Sequence, residues 1–226
     1  MSARALRPTG VLLDMDGTLV DTESLWYEAT RAAFRDLGAD LPATAEQEML
    51  GLDAETALDL LSTRYAVDVD RPALDLALRA ALGPALAKAH ERPGAGVLVA
   101  RLVDAGVAMA IVSNSSHEVI EATLAPHAWA DAIPQRYSVD DVALGKPAPD
   151  VYRFAARRLA LAPEACVAIE DSVTGATAAV AAGVPCIAVT FDVERSALQR
   201  VTPYVVDSLG EALSLLDLTH PTPRST

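Results

Sequence analysis

Short apolar runs at residues 11–13, 107–112, 167–169 and 186–189 alternate with alanine-rich stretches, and this alternation constrains the fold more than any other feature. Runs so short suit strands buried on both faces of a sheet. The stretches at 97–104, 118–125, 151–159 and 174–182 carry helical period, and Gly106 and Gly183 stand where left-handed helix caps are expected. Strand and helix in repetition predict an α/β fold, a doubly wound parallel sheet of Rossmann-like type. With 51% apolar residues the chain has ample material for its interior.

The alternation is interrupted once. From 22 to 92 no strand-like run occurs, only amphipathic helical text at 25–37, 55–65 and 74–89, and Pro93 with Gly94 marks the return. The expected organisation is an α/β core from 1–21 and 93–219, a small helical domain at 22–92 inserted after the first strand, and a disordered tail at 220–226. Cys166 and Cys186 each fall inside a strand-like run and are expected as free core residues of a reducing compartment. The apolar run before Asp14 is too short for a signal peptide, and no run approaches the ~20 residues of a membrane span. A soluble cytoplasmic protein, monomeric or weakly dimeric, is expected.

Open parallel sheets place ligands at the carboxyl ends of their strands, so the polar residues after each apolar run carry the functional information. Asp14 and Asp16 follow the first run. Residues i and i+2 of an extended segment project to the same side, which lets both carboxylates converge on one bound group. Close burial of two such charges is costly without a cation or a shared proton. Glu170 and Asp171 follow the third run as hard oxygen donors suited to Mg²⁺, with Ser172 or Asp171 equally able to cap the next helix. Ser113, Asn114, Ser115 and Ser116 offer hydroxyls, an amide and helix N-terminal N–H groups to a phosphoryl oxygen, or serve as ordinary caps. Lys146 supplies a cation in a stretch stiffened by Pro147 and Pro149. All four segments are expected at strand ends along one rim.

The net charge of −13, from 18 basic and 31 acidic residues, opposes nucleic acid and anionic membranes alike. A phosphate-handling enzyme of this charge must meet its anion with a metal ion and local donors.

In order and chemistry the segments resemble the four motifs of the haloacid-dehalogenase-like (HAD) superfamily, from about Val11 to about Asp207, in its β-phosphoglucomutase-like and sugar-phosphate phosphatase branch. The resemblance implies a Mg²⁺-dependent phosphatase in which Asp14 is the nucleophile and Asp16 the general acid/base. Ser113, Asn114 and Lys146 would hold the phosphoryl group. Asp14, the Asp16 backbone carbonyl and Asp171 would ligate Mg²⁺, with Glu170 a direct or indirect ligand. The 22–92 insert is similar to the family's helical cap, which makes Glu23 and Trp26 candidate substrate contacts, although a lone aromatic on an amphipathic helix is as readily a core anchor. The segment from Asp21 to Trp26 is similar to cap entries of sugar-phosphate phosphatases.

Three alternatives are weighed against a phosphatase. Dehalogenases of the superfamily lack the second aspartate, present here as Asp16. Hexose-phosphate mutases carry a histidine at the place of Trp26, an arginine in the stretch matching Gly51, Leu52, Asp53 and Ala54, and a lysine at the place of His117. None is present, and His117 receives no role. A non-catalytic binding module predicts loss of the nucleophile or of the late acids, and both are intact.

Overall fold

The computed structural model describes residues 5–49, 54–65 and 70–219. The chain divides into two compact units, one built from the residues up to Asp21 and from Glu91 onward, the other from Thr22–His90. The expected tail at 220–226 and the stretch Gly51, Leu52 and Asp53 lie outside the described residues.

The first unit is organised on six parallel strands: β1 (Gly10–Leu13), β2 (Ala108–Val112), β3 (Arg136–Tyr137), β4 (Cys166–Glu170), β5 (Cys186–Val189) and β6 (Tyr204–Val206). Their order across the sheet is β3-β2-β1-β4-β5-β6. The doubly wound parallel architecture expected from the alternation is therefore present. β1, β2 and β4 are almost wholly buried, which explains why their text is continuous rather than alternating. Helices Ala95–Asp104, His117–Leu124, Asp150–Arg158 and Val173–Ala181 connect them, each within a residue or two of its expected position. Leu12, Val112, Tyr152, Ala155, Ala168 and Ala176 belong to one buried cluster. Cys166 and Cys186 are free and buried.

Register positions the chemistry. Leu13 pairs with Ile111 on one side and Ile169 on the other, so Asp14 lies level with Val112 and Glu170, and its N–H donates to the Ile169 carbonyl at 3.0 Å. Three strand ends therefore reach the same rim.

In the helical unit, the Arg71–Leu86 helix buries Leu74, Leu78, Leu82 and Leu86, one per turn, and packs on the Glu23–Asp36 helix, which buries Ala29, Thr30, Ala33 and Phe34. Asp70 caps the former by accepting from the Ala73 N–H at 3.3 Å. Helices Ala45–Met49 and Ala54–Arg64 complete the unit. One expectation is corrected: His90–Glu91 is a strand, inside the region read as free of strands, and two residues are too few to register as a pattern. The helical unit also ends at His90, two residues before the expected boundary, because Arg92 is bonded to Gly17 and Leu19. No helix among the described residues is long and apolar enough to cross a membrane.

Candidate active site

Asp14, Lys146 and Glu170 form a buried ionic triad at this rim. The Lys146 ammonium donates to Asp14 Oδ1 at 2.5 Å, to Glu170 Oε1 at 2.7 Å and to the Val112 carbonyl at 2.9 Å, which uses all three of its protons. Thr18 Oγ1 lies 2.9 Å from Asp14 Oδ2 and 3.0 Å from Asp171 Oδ1. A hydroxyl carries a single proton, so Thr18 donates to one of the two carboxylates at a time and ties Asp14 to Asp171. Gly17 permits this approach: it has φ +79°, and a Cβ there would lie 2.1 Å from Asp171 Oδ2.

Burial pushes the Asp14 carboxyl up from 3.8 to about 7, with the nearby Glu170 charge adding to the effect and Lys146 only partly opposing it. Burial alone would lower Lys146, but Asp14 and Glu170 outweigh it and hold the ammonium charged above its ordinary range. One lysine thus faces an excess of carboxylate charge. Oxygens of Asp14, Glu170 and Asp171 lie within 4.8 Å of one another, all three residues buried. Hard, anionic, closely spaced and short of positive charge, this donor set fits a divalent cation of the Mg²⁺ class.

Asp16 is held separately. Its Oδ2 accepts from Ser113 Oγ at 3.0 Å and from Ser115 Oγ at 2.8 Å. Ser115 is fixed in turn by Ser138, whose hydroxyl donates to the Ser115 carbonyl at 2.7 Å. Asn114, read as a phosphate ligand, has its carboxamide engaged elsewhere: Oδ1 accepts from the Lys146 N–H at 2.7 Å and Nδ2 donates to the Lys146 carbonyl at 3.0 Å. It holds the lysine-bearing loop to the end of β2.

Lys146 requires a correction. It was expected at a strand end, but the turn Val139–Asp141 and a loop separate it from β3, and it reaches the rim from just before the Asp150–Arg158 helix. A four-carbon side chain and the Asn114 clasp place its charge where a strand would have placed a shorter one.

The structure gathers Asp14, Asp16, Ser113, Asn114, Lys146, Glu170 and Asp171 in one unit. Glu23 and Trp26 belong to the other, half-buried and three residues apart near the start of the Glu23–Asp36 helix. The exposed His117 pairs through Nε2 with Asp141 at 3.0 Å, and its N–H donates to Asp140. Ser172 and Ser116 are helix N-caps, accepting from Gly175 and Val119. Sequence reasoning missed Thr18, although it lies within the first motif, and Tyr152, whose hydroxyl donates to Glu170 Oε1 at 2.6 Å. Nothing in the helical text around Tyr152 marks that hydroxyl.

The curated relatives include the bifunctional riboflavin kinase/FMN phosphatase of Arabidopsis thaliana, 30% identical over 88% of this chain. The chain spans about half, 53%, of that relative's length. Hexitol phosphatase B of Escherichia coli (strain K12) is 30% identical over 79% of this chain and 82% of its own. Among solved structures, a mutant CbbY from Rhodobacter sphaeroides in complex with xylulose-(1,5)bisphosphate superposes with TM-score 0.81 at 28% identity, covering 93% of this chain and 99% of the other. The haloacid dehalogenase-like hydrolase pattern matches residues 8–183, most of the chain. The protein therefore belongs to the haloacid dehalogenase-like hydrolase family.

Proposed function

We propose that this chain is a Mg²⁺-dependent phosphatase acting on a small phosphate monoester, a sugar or polyol phosphate, through an aspartyl-phosphate on Asp14. The observation that carries this reading is the Lys146 ammonium shared between Asp14 and Glu170 inside a buried group of carboxylates at one sheet rim. Asp14, Glu170 and Asp171 would hold the metal together with the Asp16 carbonyl. Bound there, Mg²⁺ masks the negative charge that otherwise repels a carboxylate from a phosphate ester.

In the first step an Asp14 oxygen bonds to phosphorus while the bond from phosphorus to the alkoxide breaks, and Asp16 donates a proton to the leaving oxygen. Lys146 lies against Asp14 and stabilises the charge on the transferring group. In the second step Asp16 takes a proton from water, which attacks the acyl-phosphate, releases inorganic phosphate and restores Asp14. Ser113 and Ser115 orient the Asp16 carboxylate between these steps. The helical unit Thr22–His90 is proposed as the cap that selects the substrate, with Glu23 and Trp26 as its contacts. Trp26, where the mutases carry a histidine, favours water over a sugar hydroxyl as acceptor.

The substrate class is supported by the relatives, one a hexitol phosphatase and another a CbbY in complex with xylulose-(1,5)bisphosphate. The test is phosphate release from p-nitrophenyl phosphate and from a panel of hexitol, hexose and pentulose phosphates with Mg²⁺, repeated in EDTA. Release that depends on Mg²⁺, together with a phosphorylated enzyme trapped by rapid acid quench, is the expected result. Turnover that continues in EDTA refutes the metal role, and steady turnover without detectable phosphoenzyme refutes the covalent one.

A further inference from the structure

Glu170 is held more closely than a metal ligand requires. Its Oε1 accepts from Lys146 at 2.7 Å and from the Tyr152 hydroxyl at 2.6 Å, and its Oε2 accepts from Ser172 Oγ at 3.2 Å. A carboxylate has about four lone-pair positions, two on each oxygen. Oε1 is therefore saturated, and Oε2 keeps one position open. Gly175 restrains the group further, since a Cβ there would fall 2.0 Å from Oε1 and 2.1 Å from Oε2, so the carboxylate lies flush against a bare Cα. Glu170 and Tyr152 are both fully buried, which keeps bulk water from competing for these oxygens.

The two donors at Oε1 differ in what demands them. Lys146 is required by charge, because it also neutralises Asp14. The Tyr152 hydroxyl answers no charge requirement, and a phenylalanine ring would fill the same space. Its effect is to occupy the second lone pair of Oε1.

We propose that Tyr152 is a positioning residue that confines Glu170 to coordination through one oxygen and so favours Mg²⁺ over Ca²⁺. This inference rests on the metal-dependent reading above. Ca²⁺ takes six to eight oxygens and readily accepts both from one carboxylate, whereas Mg²⁺ keeps near-octahedral order with single carboxylate oxygens and water. With Oε1 closed by two donors, Glu170 serves the smaller ion. Without the phenol, Oε1 regains an open lone pair and the site can give Ca²⁺ a second oxygen.

The experiment is calorimetric titration of the full chain with MgCl₂ and with CaCl₂, in the wild type and in Tyr152→Phe, with folding checked by circular dichroism. The expected result is a shift of about tenfold toward Ca²⁺ in the ratio of the two Kd values for the variant. A ratio within about twofold of wild type overturns the proposal and leaves the metal site standing. A wild type that binds neither cation removes the metal reading, and the proposal falls with it. A second measurement does not depend on the variant folding: infrared spectra of wild type carrying ¹³C-carboxyl glutamate, with each cation added. One-oxygen carboxylate signatures with both cations support the proposal, and a two-oxygen glutamate signature with Ca²⁺ overturns it.

Discussion

Each unit contains a cation placed between two carboxylates, and the two triads differ mainly in burial. In the α/β unit Lys146 lies between Asp14 and Glu170, with side-chain exposures of 4%, 8% and 0%. In the helical unit Arg71 lies between Asp59 and Asp75, with exposures of 37%, 67% and 51%. Coulomb attraction operates in both, but water screens the second and is excluded from the first. The buried triad holds charges that water does little to screen, and burial raises the Asp14 pKa to about 7. The exposed one is interchangeable with solvent. The residue types alone do not separate a reactive group from a surface decoration; the surrounding strands do.

The sharpest break between the triads is expected in turnover. Asp14→Asn should lower phosphate release by about a thousandfold or more, because the amide cannot form the proposed aspartyl-phosphate. The equivalent change Asp59→Asn should leave the rate within about twofold. Melting curves make the comparison stricter: Asp14→Asn should match or exceed wild type in EDTA at pH 8, since it removes a buried like charge near Glu170. A drop in melting temperature that parallels the lost activity would mean that Asp14 is structural.

Next in size is removal of the buried cation. Lys146→Met keeps the length of the side chain and leaves Asp14 and Glu170 without their shared partner, for an expected loss of about 3–5 kcal/mol in urea unfolding. Loss of less than about 1 kcal/mol would show that water reaches the carboxylates and that the triads are alike after all.

How much of this was legible depended on how each residue is held. β1, β2 and β4 were visible because burial on both faces keeps their text continuously apolar. β3 was not, since Arg136 interrupts a strand of two residues, and β6, at three residues, is too short to leave a pattern. Asp14, Glu170 and Asp171 were legible as acids at strand ends. The part of Asn114 was hidden because a carboxamide that clasps the Lys146 backbone reads the same in sequence as one that faces a ligand. Tyr152 was hidden for a similar reason, its ring fitting the apolar face of its helix while only the hydroxyl reaches Glu170.

The third expected effect is a pH dependence confined to the buried triad. Asp14 has its folded pKa raised from 3.8 to about 7, so between those values the folded chain keeps a proton that the unfolded chain has released. Stability from this group is complete below about pH 4 and declines as pH rises through about 7. Mg²⁺ at the proposed site would bind the deprotonated oxygens, so adding it should flatten the decline. Melting temperature measured across this range in EDTA and in Mg²⁺ checks both halves, and two superimposable profiles would refute the linkage.

The smallest effect is the one that fixes the scale for the others. Arg71 bonds Asp59 on the neighbouring helix and Asp75 one turn along its own, so it has two carboxylate partners, as Lys146 does. Yet Arg71 is the first residue after the Asp70 cap, at the positive end of its helix dipole, where a cation is disfavoured. Removing it discards two screened attractions and one repulsion of similar size. Arg71→Ala should therefore shift unfolding free energy by about 0.5 kcal/mol or less, and in 1 M salt the difference should vanish, because screening over about 3 Å leaves little of either contribution. A loss of about 2 kcal/mol that persists in salt would mean that burial is not what separates the two triads.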